Sequence, residues 1–302
     1  MKISEIISKY SEKLTGISPT PRLDVEILIS HVLKFDDRIK LILSHDKEIS
    51  NNDFLEFESM FNKRLKSVPV AYIVNNKEFM GHDFYVDENV LIPRPDTEII
   101  VEDVIDTIFD KYNNAEELNV MDMCVGSGAI LLSIASSMFD YSSDFFYRCK
   151  FVGVDISKGA LNVSNINLER ILGNISNYGN IQLLESDLFK SPEFDNMHDM
   201  FDIIVSNPPY IPEADIQTLS PDVKDYEPIL ALSGGNDGMN FYKEIILESS
   251  KYLKNNGLLF FESGHDQADE IKSFMKTNGF VDIYFKKDLQ GFNRLVCGKL
   301  RK

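Results

Sequence analysis

Cysteine and histidine are scarce in this chain, and neither is spaced to bind a metal. Cys124, Cys149 and Cys297 form no CxxC pair, and the five histidines include no pair at metal-ligand spacing. A structural zinc site needs four such ligands at short, regular spacings, and a disulfide framework uses an even, dense set of cysteines. The sequence therefore argues against both and indicates a reducing compartment.

Long apolar runs are absent too. No stretch approaches the roughly 20 residues that a membrane-spanning helix needs. The first twelve residues mix acidic and basic side chains and contain no apolar segment of the kind found in signal peptides. We therefore expect a cytoplasmic protein that does not associate with a membrane.

Basic side chains are outnumbered, because 31 lysines and arginines face 48 aspartates and glutamates and give a net charge of −17. Residues 1–75 contain 11 of each sign, so residues 76–302 carry the whole deficit. Between Asn207 and Gly238 there are six acidic side chains and one lysine. Since such a surface repels polyphosphates, the composition argues against direct binding of nucleic acid.

The first part of the chain has a helical pattern. Its 302 residues suggest two domains. In residues 1–75 apolar side chains recur at helical spacing, and Thr20-Pro21 and Ser50 are typical helix starts. We predict a small helical domain over 1–75 that serves substrate or partner recognition. Three short apolar segments at 78–80, 84–86 and 90–92 then predict a β-hairpin linker over 76–95.

From residue 96 to residue 302, strand-like and helix-like segments alternate, which is typical of a parallel sheet. The predicted strands are 119–124, 151–155, 181–185, 201–206, 257–262, 281–286 and 294–299. The fold class is therefore α/β: a Rossmann-like domain with a mostly parallel seven-stranded sheet, preceded by the small helical domain.

Asn207-Pro208-Pro209-Tyr210 directly follows the apolar strand 201–206. The two prolines end the strand and hold an extended loop at the edge where open α/β sheets bind ligands. The Asn207 side-chain oxygen and the Pro208 carbonyl can accept two N–H groups, and the Tyr210 ring can stack on a planar group. This pattern favours an amide or exocyclic amine as ligand, although a purely structural turn is the alternative.

A glycine-rich turn links the predicted first strand to the next helix. It comprises Asp122, Cys124, Val125, Gly126, Ser127 and Gly128, all of which we predict to bind a cofactor. Glycines let a ligand approach the backbone, and the helix start supplies free N–H groups. The turn lacks both the third glycine of a dinucleotide fingerprint and the Gly-Lys-Ser/Thr of a P-loop.

Acidic residues follow the next two strands. Asp155 ends the second strand, where a carboxylate can accept both ribose hydroxyls of an adenosine. Asp187 follows the third strand and can accept from an adenine amino group, with Leu188 against the ring; a helix cap is the alternative for Asp187. Together with Asn207, this order predicts an adenosine cofactor beside an N–H-bearing nucleophile, which matches S-adenosylmethionine and methyl transfer to nitrogen.

The chain resembles the HemK/PrmC family over nearly its whole length. The segments that carry the resemblance are 69–73, 78–81, 91–98, 206–211, Glu227-Pro228, Ala231-Leu232, Gly234-Gly235, Asp237-Gly238, Asp288, Gly291 and Arg294. Two positions depart from the family pattern. Cys124 stands where a glycine is usual; its β-carbon is acceptable if φ is negative, but it narrows the approach to the methionine end of the cofactor. Leu188 stands where tryptophan is frequent and should stack less on adenine.

The resemblance implies methylation of the glutamine side chain in the Gly-Gly-Gln motif of peptide chain release factors, with S-adenosylhomocysteine as product and no metal. It implies catalytic roles for Asn207, Pro208 and Tyr210, with Asn207 also near the cofactor. Pro209 and Arg94 would contact the substrate, although a structural salt bridge is the alternative for Arg94. We expect a monomer.

Two other functions remain open at this point. Methylation of an adenine or guanine amino group in nucleic acid would use the same Asn207 loop, but the acidic segment argues against it. A nucleotide-dependent oxidoreductase or a non-catalytic adenosine-binding module would need neither Asn207 nor its prolines. Retention of S-adenosylhomocysteine rather than NAD would separate these classes.

Overall fold

The computed structural model describes residues 1–112, 115–173 and 179–302. These residues form two compact units. The first comprises Met1–Asn76 with Ser220–Tyr226, and the second comprises Lys77–Leu219 with Glu227–Lys302.

The first unit is helical. Its N-terminal part contains α1 (Ile3–Lys13), α2 (Pro21–Val32), α3 (Arg38–Leu43), α4 (Asn51–Arg64) and α5 (Val70–Val74). The predicted start at Ser50 is correct, since its hydroxyl accepts from the Asp53 N–H. Helices α1, α2 and α4 bury an apolar core that includes Ile6, Leu28 and Phe57. Helical spacing of these side chains is therefore what assembles the unit.

The second unit begins with a hairpin of β1 (Lys77–Phe79) and β2 (His82–Phe84). Met80 and Gly81 both have positive φ, as a tight hairpin turn requires. The predicted strand over 90–92 is wrong, because these residues pair with no strand. Val90 and Ile92 are instead buried within an irregular segment, so their apolar character reflects burial rather than a sheet.

The larger sheet contains, among the described residues, seven strands. They are β3 (Leu118–Met123), β4 (Cys149–Asp155), β5 (Ile181–Glu185), β6 (Phe201–Ser206), β7 (Leu253–Glu262), β8 (Phe280–Lys287) and β9 (Asn293–Leu300). Their order is β5-β4-β3-β6-β7-β9-β8. The first five strands in this order, from β5 to β7, are parallel to one another, whereas β9 is antiparallel to both of its neighbours. The predicted α/β class with a mostly parallel seven-stranded sheet is confirmed.

Helices alternate with these strands. They are α6 (Glu98–Lys111), α7 (Ala129–Tyr141), α8 (Ser143–Phe146), α9 (Lys158–Leu172), α10 (Glu213–Ile216), α11 (Pro221–Lys224, in the first unit), α12 (Ile229–Leu232), α13 (Asn240–Tyr252) and α14 (Ala268–Thr277), with 3₁₀ turns at Pro95–Thr97 and Pro192–Asn196. Two apolar cores made of the alternating strand side chains and these helices enclose the sheet.

The strand order reverses between β3 and β6, and this reversal determines where ligands can bind. From β3 the chain proceeds outward to β4 and β5, then returns to β6 on the other side. Met123 at the end of β3 pairs with Val154 on β4 and with Ser206 on β6. The loops after these three strands therefore meet at one edge, at the topological switch point.

Candidate active site

A cavity opens at this edge of the second unit. Its walls comprise residues 89–91, Met123, Cys124, Gly126, residues 154–157, Ala160, residues 186–188, Pro209, Pro228, Leu230, Ala231 and Phe241. Most of these side chains are apolar, and the polar groups come from the ends of the strands. Such a mixture is typical of a site for a small organic ligand.

The structure brings six of the sequence-predicted site residues to the cavity wall: Cys124, Gly126, Asp155, Asp187, Leu188 and Pro209. The other predicted site residues do not line the cavity; they are Arg94, Asp122, Val125, Ser127, Gly128, Asn207, Pro208 and Tyr210. Asp122 lies behind the wall, where its Oδ2 accepts from the Leu131 N–H at 3.2 Å and so braces the first turn of α7. Burial raises the pKa of Asp122 well above its ordinary value.

The glycine-rich turn has an unusual backbone. Cys124, Gly126 and Gly128 have φ values of 66°, 55° and 82°. The condition under which a β-carbon at Cys124 would be tolerated, a negative φ, is therefore not met, and the Cys124 backbone lies in the left-handed region that favours glycine. The turn needs this conformation to leave β3 and enter α7. Burial raises the pKa of the Cys124 thiol, so the thiol stays protonated and is a poor nucleophile.

Two side chains of α9 hold the glycine-rich turn by hydrogen bonds to its carbonyl groups. Ser164 Oγ donates to the Gly126 carbonyl at 2.7 Å, and Asn167 Nδ2 donates to the Ser127 carbonyl at 2.8 Å. Asn167 also pairs with both backbone groups of Tyr85, in the segment that leads to cavity residues 89–91. Both side chains are fully buried. Sequence reasoning missed them, because nothing in their local sequence indicates these distant partners.

Asp155 lies at the end of β4, where two backbone N–H groups hold its carboxylate. Its Oδ2 accepts from the Gly126 N–H and its Oδ1 from the Ser157 N–H, both at 2.9 Å. These bonds fix the carboxylate and still leave each oxygen a further lone pair. Burial raises its pKa, although the two backbone donors act in the opposite direction.

Asp187 and Leu188 form the adjacent wall. The exposed Asp187 carboxylate pairs with Lys190 Nζ at 2.8 Å, and Lys190 also contacts Glu244 at 3.2 Å. Leu188 is buried and has a φ of 48°. A second non-glycine residue of the cavity wall thus occupies the left-handed region.

The Asn207-Pro208-Pro209-Tyr210 loop is fixed by contacts on both sides. Ser206 Oγ donates to the Met123 carbonyl at 2.6 Å, and Gln267 Nε2 donates to the Tyr210 carbonyl at 3.0 Å. A β-carbon at Gly238 would lie 2.3 Å from the Tyr210 carbonyl oxygen. Close backbone approach therefore requires glycine at position 238, and contacts on both sides hold the loop in place.

A polar cluster lies beside this loop. Glu262 at the end of β7 is 2% exposed, and burial raises its pKa to about 7, although the facing hydroxyls of Thr97 and Tyr210 and the charge of Arg294 favour its charged form. Burial likewise raises the pKa of Tyr210. Glu262 is the last residue of the predicted strand 257–262, and sequence reasoning assigned it no role.

Arg94 forms an ion pair with the buried Glu227. Of the two roles that the sequence left open, the structure contains the salt bridge, and substrate contact by Arg94 stays a prediction.

In the described part of the chain, no group of three or more His, Cys, Asp or Glu side chains is arranged to hold a metal ion. The described helices are also too short or too polar to cross a membrane.

Two protein-family models match the chain. The model described as the PrmC N-terminal domain matches residues 5–74, and the model described as N-6 DNA Methylase matches residues 93–259. Together they cover the helical unit's N-terminal part and most of the sheet.

Curated relatives match over almost the whole chain. The release factor glutamine methyltransferase of Clostridium acetobutylicum is 44% identical over 90% of this chain and 89% of the relative. The protein of the same name from Fusobacterium nucleatum is 37% identical over 98% of this chain and 78% of the relative. A solved structure of the T. thermophilus 16S rRNA N2 G1207 methyltransferase, in complex with AdoMet and guanosine, has a TM-score of 0.50 at 16% identity, covers 75% of this chain and 50% of that chain, and shares the fold.

Proposed function

The chain belongs to the release factor glutamine methyltransferase family, and on this premise we propose that it methylates the side-chain amide nitrogen of the glutamine in the Gly-Gly-Gln motif of peptide chain release factors. The methyl donor is S-adenosylmethionine, and the products are the N5-methylated glutamine, S-adenosylhomocysteine and a proton. The observation that carries the proposal is the Asn207-Pro208-Pro209-Tyr210 loop, which is held by contacts on both sides beside the cavity and offers acceptors for an amide.

The cavity residues suit the methyl donor. Asp155 has free lone pairs for the two ribose hydroxyls, and Asp187 can accept from the adenine amino group. Buried Leu188 offers an apolar face to the adenine ring, and no side chain at Gly126 obstructs the approach to the backbone. When bound, S-adenosylmethionine supplies a methyl group already activated by its sulfonium.

The protein must then orient a poor nucleophile, since the lone pair of an amide nitrogen is shared with its carbonyl. Asn207 Oδ1 and the Pro208 carbonyl accept hydrogen bonds from the two N–H groups of the substrate amide and so direct its nitrogen toward the methyl group. Pro209 and Tyr210 pack against the amide plane. Positioning of this kind can supply a large part of a rate enhancement without a strong general base.

The charge distribution supports a protein substrate. The segment between Asn207 and Gly238 contains six acidic side chains and one lysine, and Glu213 and Asp215 in it are exposed. A basic protein surface would be attracted to these acidic side chains, whereas nucleic acid would be repelled by them. We propose action as a monomer in the cytoplasm, where release factors act, without direct binding of nucleic acid.

Mass spectrometry of a release factor fragment containing Gly-Gly-Gln, incubated with the protein and S-adenosylmethionine, tests the proposal. We expect one added methyl group on the glutamine. Asn207→Ala should abolish it and retain binding of S-adenosylhomocysteine, whereas Asn162→Ala, an exposed asparagine on α9, should act like the wild type. Methylation of a DNA or RNA oligonucleotide instead would replace the proposal with the amino-group reaction of nucleic-acid methylases.

A further inference from the structure

Asn207 has a specific neighbour that fixes its amide. Its Nδ2 donates to Thr97 Oγ1 at 3.4 Å. Because the nitrogen and oxygen of an amide point in different directions from the same carbon, this contact turns Oδ1 away from Thr97. Thr97 is 4% exposed and belongs to the 3₁₀ turn Pro95–Thr97, so its hydroxyl is held in place by a proline-rich backbone.

The Thr97 hydroxyl has a second partner, Glu262. The carboxylate faces the hydroxyls of Thr97 and Tyr210, and both contacts stabilise its charged form. Among the described residues its Oε2 has no hydrogen-bond partner. In its charged form this carboxylate accepts a hydrogen bond from the Thr97 hydroxyl, which leaves the Thr97 oxygen lone pairs as acceptors for Asn207.

The sheet places these groups side by side. Strands β6 and β7 are parallel neighbours, and Ser206 pairs with Phe261 in register. Asn207 and Glu262 are the next residues along the chain, so both emerge at the same level of the carboxyl edge. Thr97 approaches from the turn that precedes α6 and bridges them.

We infer that Glu262, acting through Thr97, sets which way the Asn207 amide faces and thereby presents Oδ1 to the substrate nitrogen. Thr97 and Glu262 are positioning residues, since neither needs to touch the substrate. If the amide were turned over, Nδ2 would face the N–H groups of the substrate and repel them. The inference rests on the proposed function, because it assumes that Asn207 Oδ1 accepts from the substrate amide.

The arrangement also explains why a carboxylate is buried at Glu262 at a cost in folding stability. A buried carboxylate with an oxygen that lacks a partner destabilises a fold. A glutamine of the same shape would remove the charge, but its NH₂ group could donate to the Thr97 oxygen and compete with Asn207. In its charged form Glu262 can only accept from the Thr97 hydroxyl, whereas a glutamine at this position could also donate to it.

Steady-state kinetics with the Gly-Gly-Gln fragment separate positioning from folding. Thr97→Val should lower kcat roughly tenfold to a hundredfold, the range seen for small misplacements of catalytic groups, and leave the Kd for S-adenosylhomocysteine within about twofold. Thr97→Ser keeps the hydroxyl and should recover most of the wild-type kcat. Thr107→Val makes the same change at a buried threonine of α6 and serves as the matched control.

Glu262→Gln provides an independent variant should Thr97→Val fail to fold. We expect a similar loss of kcat with cofactor binding retained. Wild-type kcat in both Thr97→Val and Glu262→Gln would overturn the inference, as would an equal loss in Thr107→Val.

NMR of the Asn207 side-chain amide gives a readout that needs no turnover. Its signals can be assigned by their loss in Asn207→Ala. We expect one of its two protons to be protected from exchange in the wild type and unprotected in Thr97→Val. An enzyme that does not methylate the fragment would refute the proposed function, whereas unchanged protection in Thr97→Val would refute this inference alone.

Discussion

Asn167 donates its side-chain amide to the Ser127 carbonyl at 2.8 Å and to the Tyr85 carbonyl at 3.0 Å. One buried side chain thereby ties the glycine-rich turn to the segment that leads to cavity residues 89–91. Ser164, one turn earlier on α9, holds the Gly126 carbonyl in the same way. The shape of the cavity thus depends on a helix whose relevant side chains do not line it.

Replacement of these two side chains should weaken cofactor binding. We expect Asn167→Ala or Ser164→Ala to raise the Kd for S-adenosylhomocysteine roughly tenfold, because each leaves a buried carbonyl without its donor, at a cost of about 1–3 kcal/mol. Isothermal titration calorimetry measures the change. Ser249→Ala, at a buried serine of α13 that bonds a carbonyl of its own helix, is the control, and an equal loss there would contradict the specific role of α9.

These residues mark the limit of what the sequence predicts. Asp155 and Asn207 are predictable because each lies at the end of an apolar strand, and parallel strands bring their ends to one edge. Ser164, Asn167 and Thr97 act through partners from 38 to 110 residues away. No local pattern encodes such contacts, so only the folded chain reveals them.

The sign of the backbone dihedral angle φ is equally hard to predict from sequence. A β-carbon at Cys124 is acceptable if φ is negative, but the turn imposes the left-handed conformation. The apolar character of segment 90–92 favours a strand. Val90 and Ile92 are buried for a different reason, because they lie in an irregular segment, part of which lines the cavity.

Cys124 offers a direct test of backbone strain. We expect Cys124→Gly to be more stable than Cys124→Ala by about 1 kcal/mol, because alanine keeps the penalty for a β-carbon at positive φ and glycine does not. Comparing the two variants cancels the loss of the thiol. Urea unfolding of both proteins measures the difference, and equal stabilities would show that the turn relaxes without strain.

A buried ion pair lies in the helical unit. Arg64 Nε lies 2.6 Å from Asp24 Oδ2, and both side chains are less than a tenth exposed. Arg64→Met should destabilise the unit by about 3–5 kcal/mol, because it leaves the Asp24 carboxylate buried without its partner. The double variant Arg64→Met/Asp24→Leu should recover much of this loss. Thermal unfolding followed by circular dichroism distinguishes the two, and a double variant no more stable than the single one would contradict this account.

Glu262 should make folding stability depend on pH. Its pKa is raised from 4.5 to about 7 in the folded protein, mainly by burial, while the unfolded carboxyl titrates near its ordinary value. The unfolded state therefore loses its proton first, and the folded state is destabilised as pH rises from about 4.5 to about 7. The difference between the folded and unfolded pKa values corresponds to a loss of roughly 3 kcal/mol in the free energy of unfolding.

Glu262→Gln has no charge to bury and should escape this penalty. We expect it to match the wild type in urea unfolding at about pH 4.5 and to exceed it by roughly 3 kcal/mol at about pH 8. The same variant should turn over more slowly, because the glutamine NH₂ group can donate to the Thr97 oxygen and compete with Asn207. Greater stability with lower kcat is the behaviour of a functional site that is maintained at a cost to the fold. A Glu262→Gln protein that is less stable than the wild type at the higher pH would instead mark Glu262 as a structural residue.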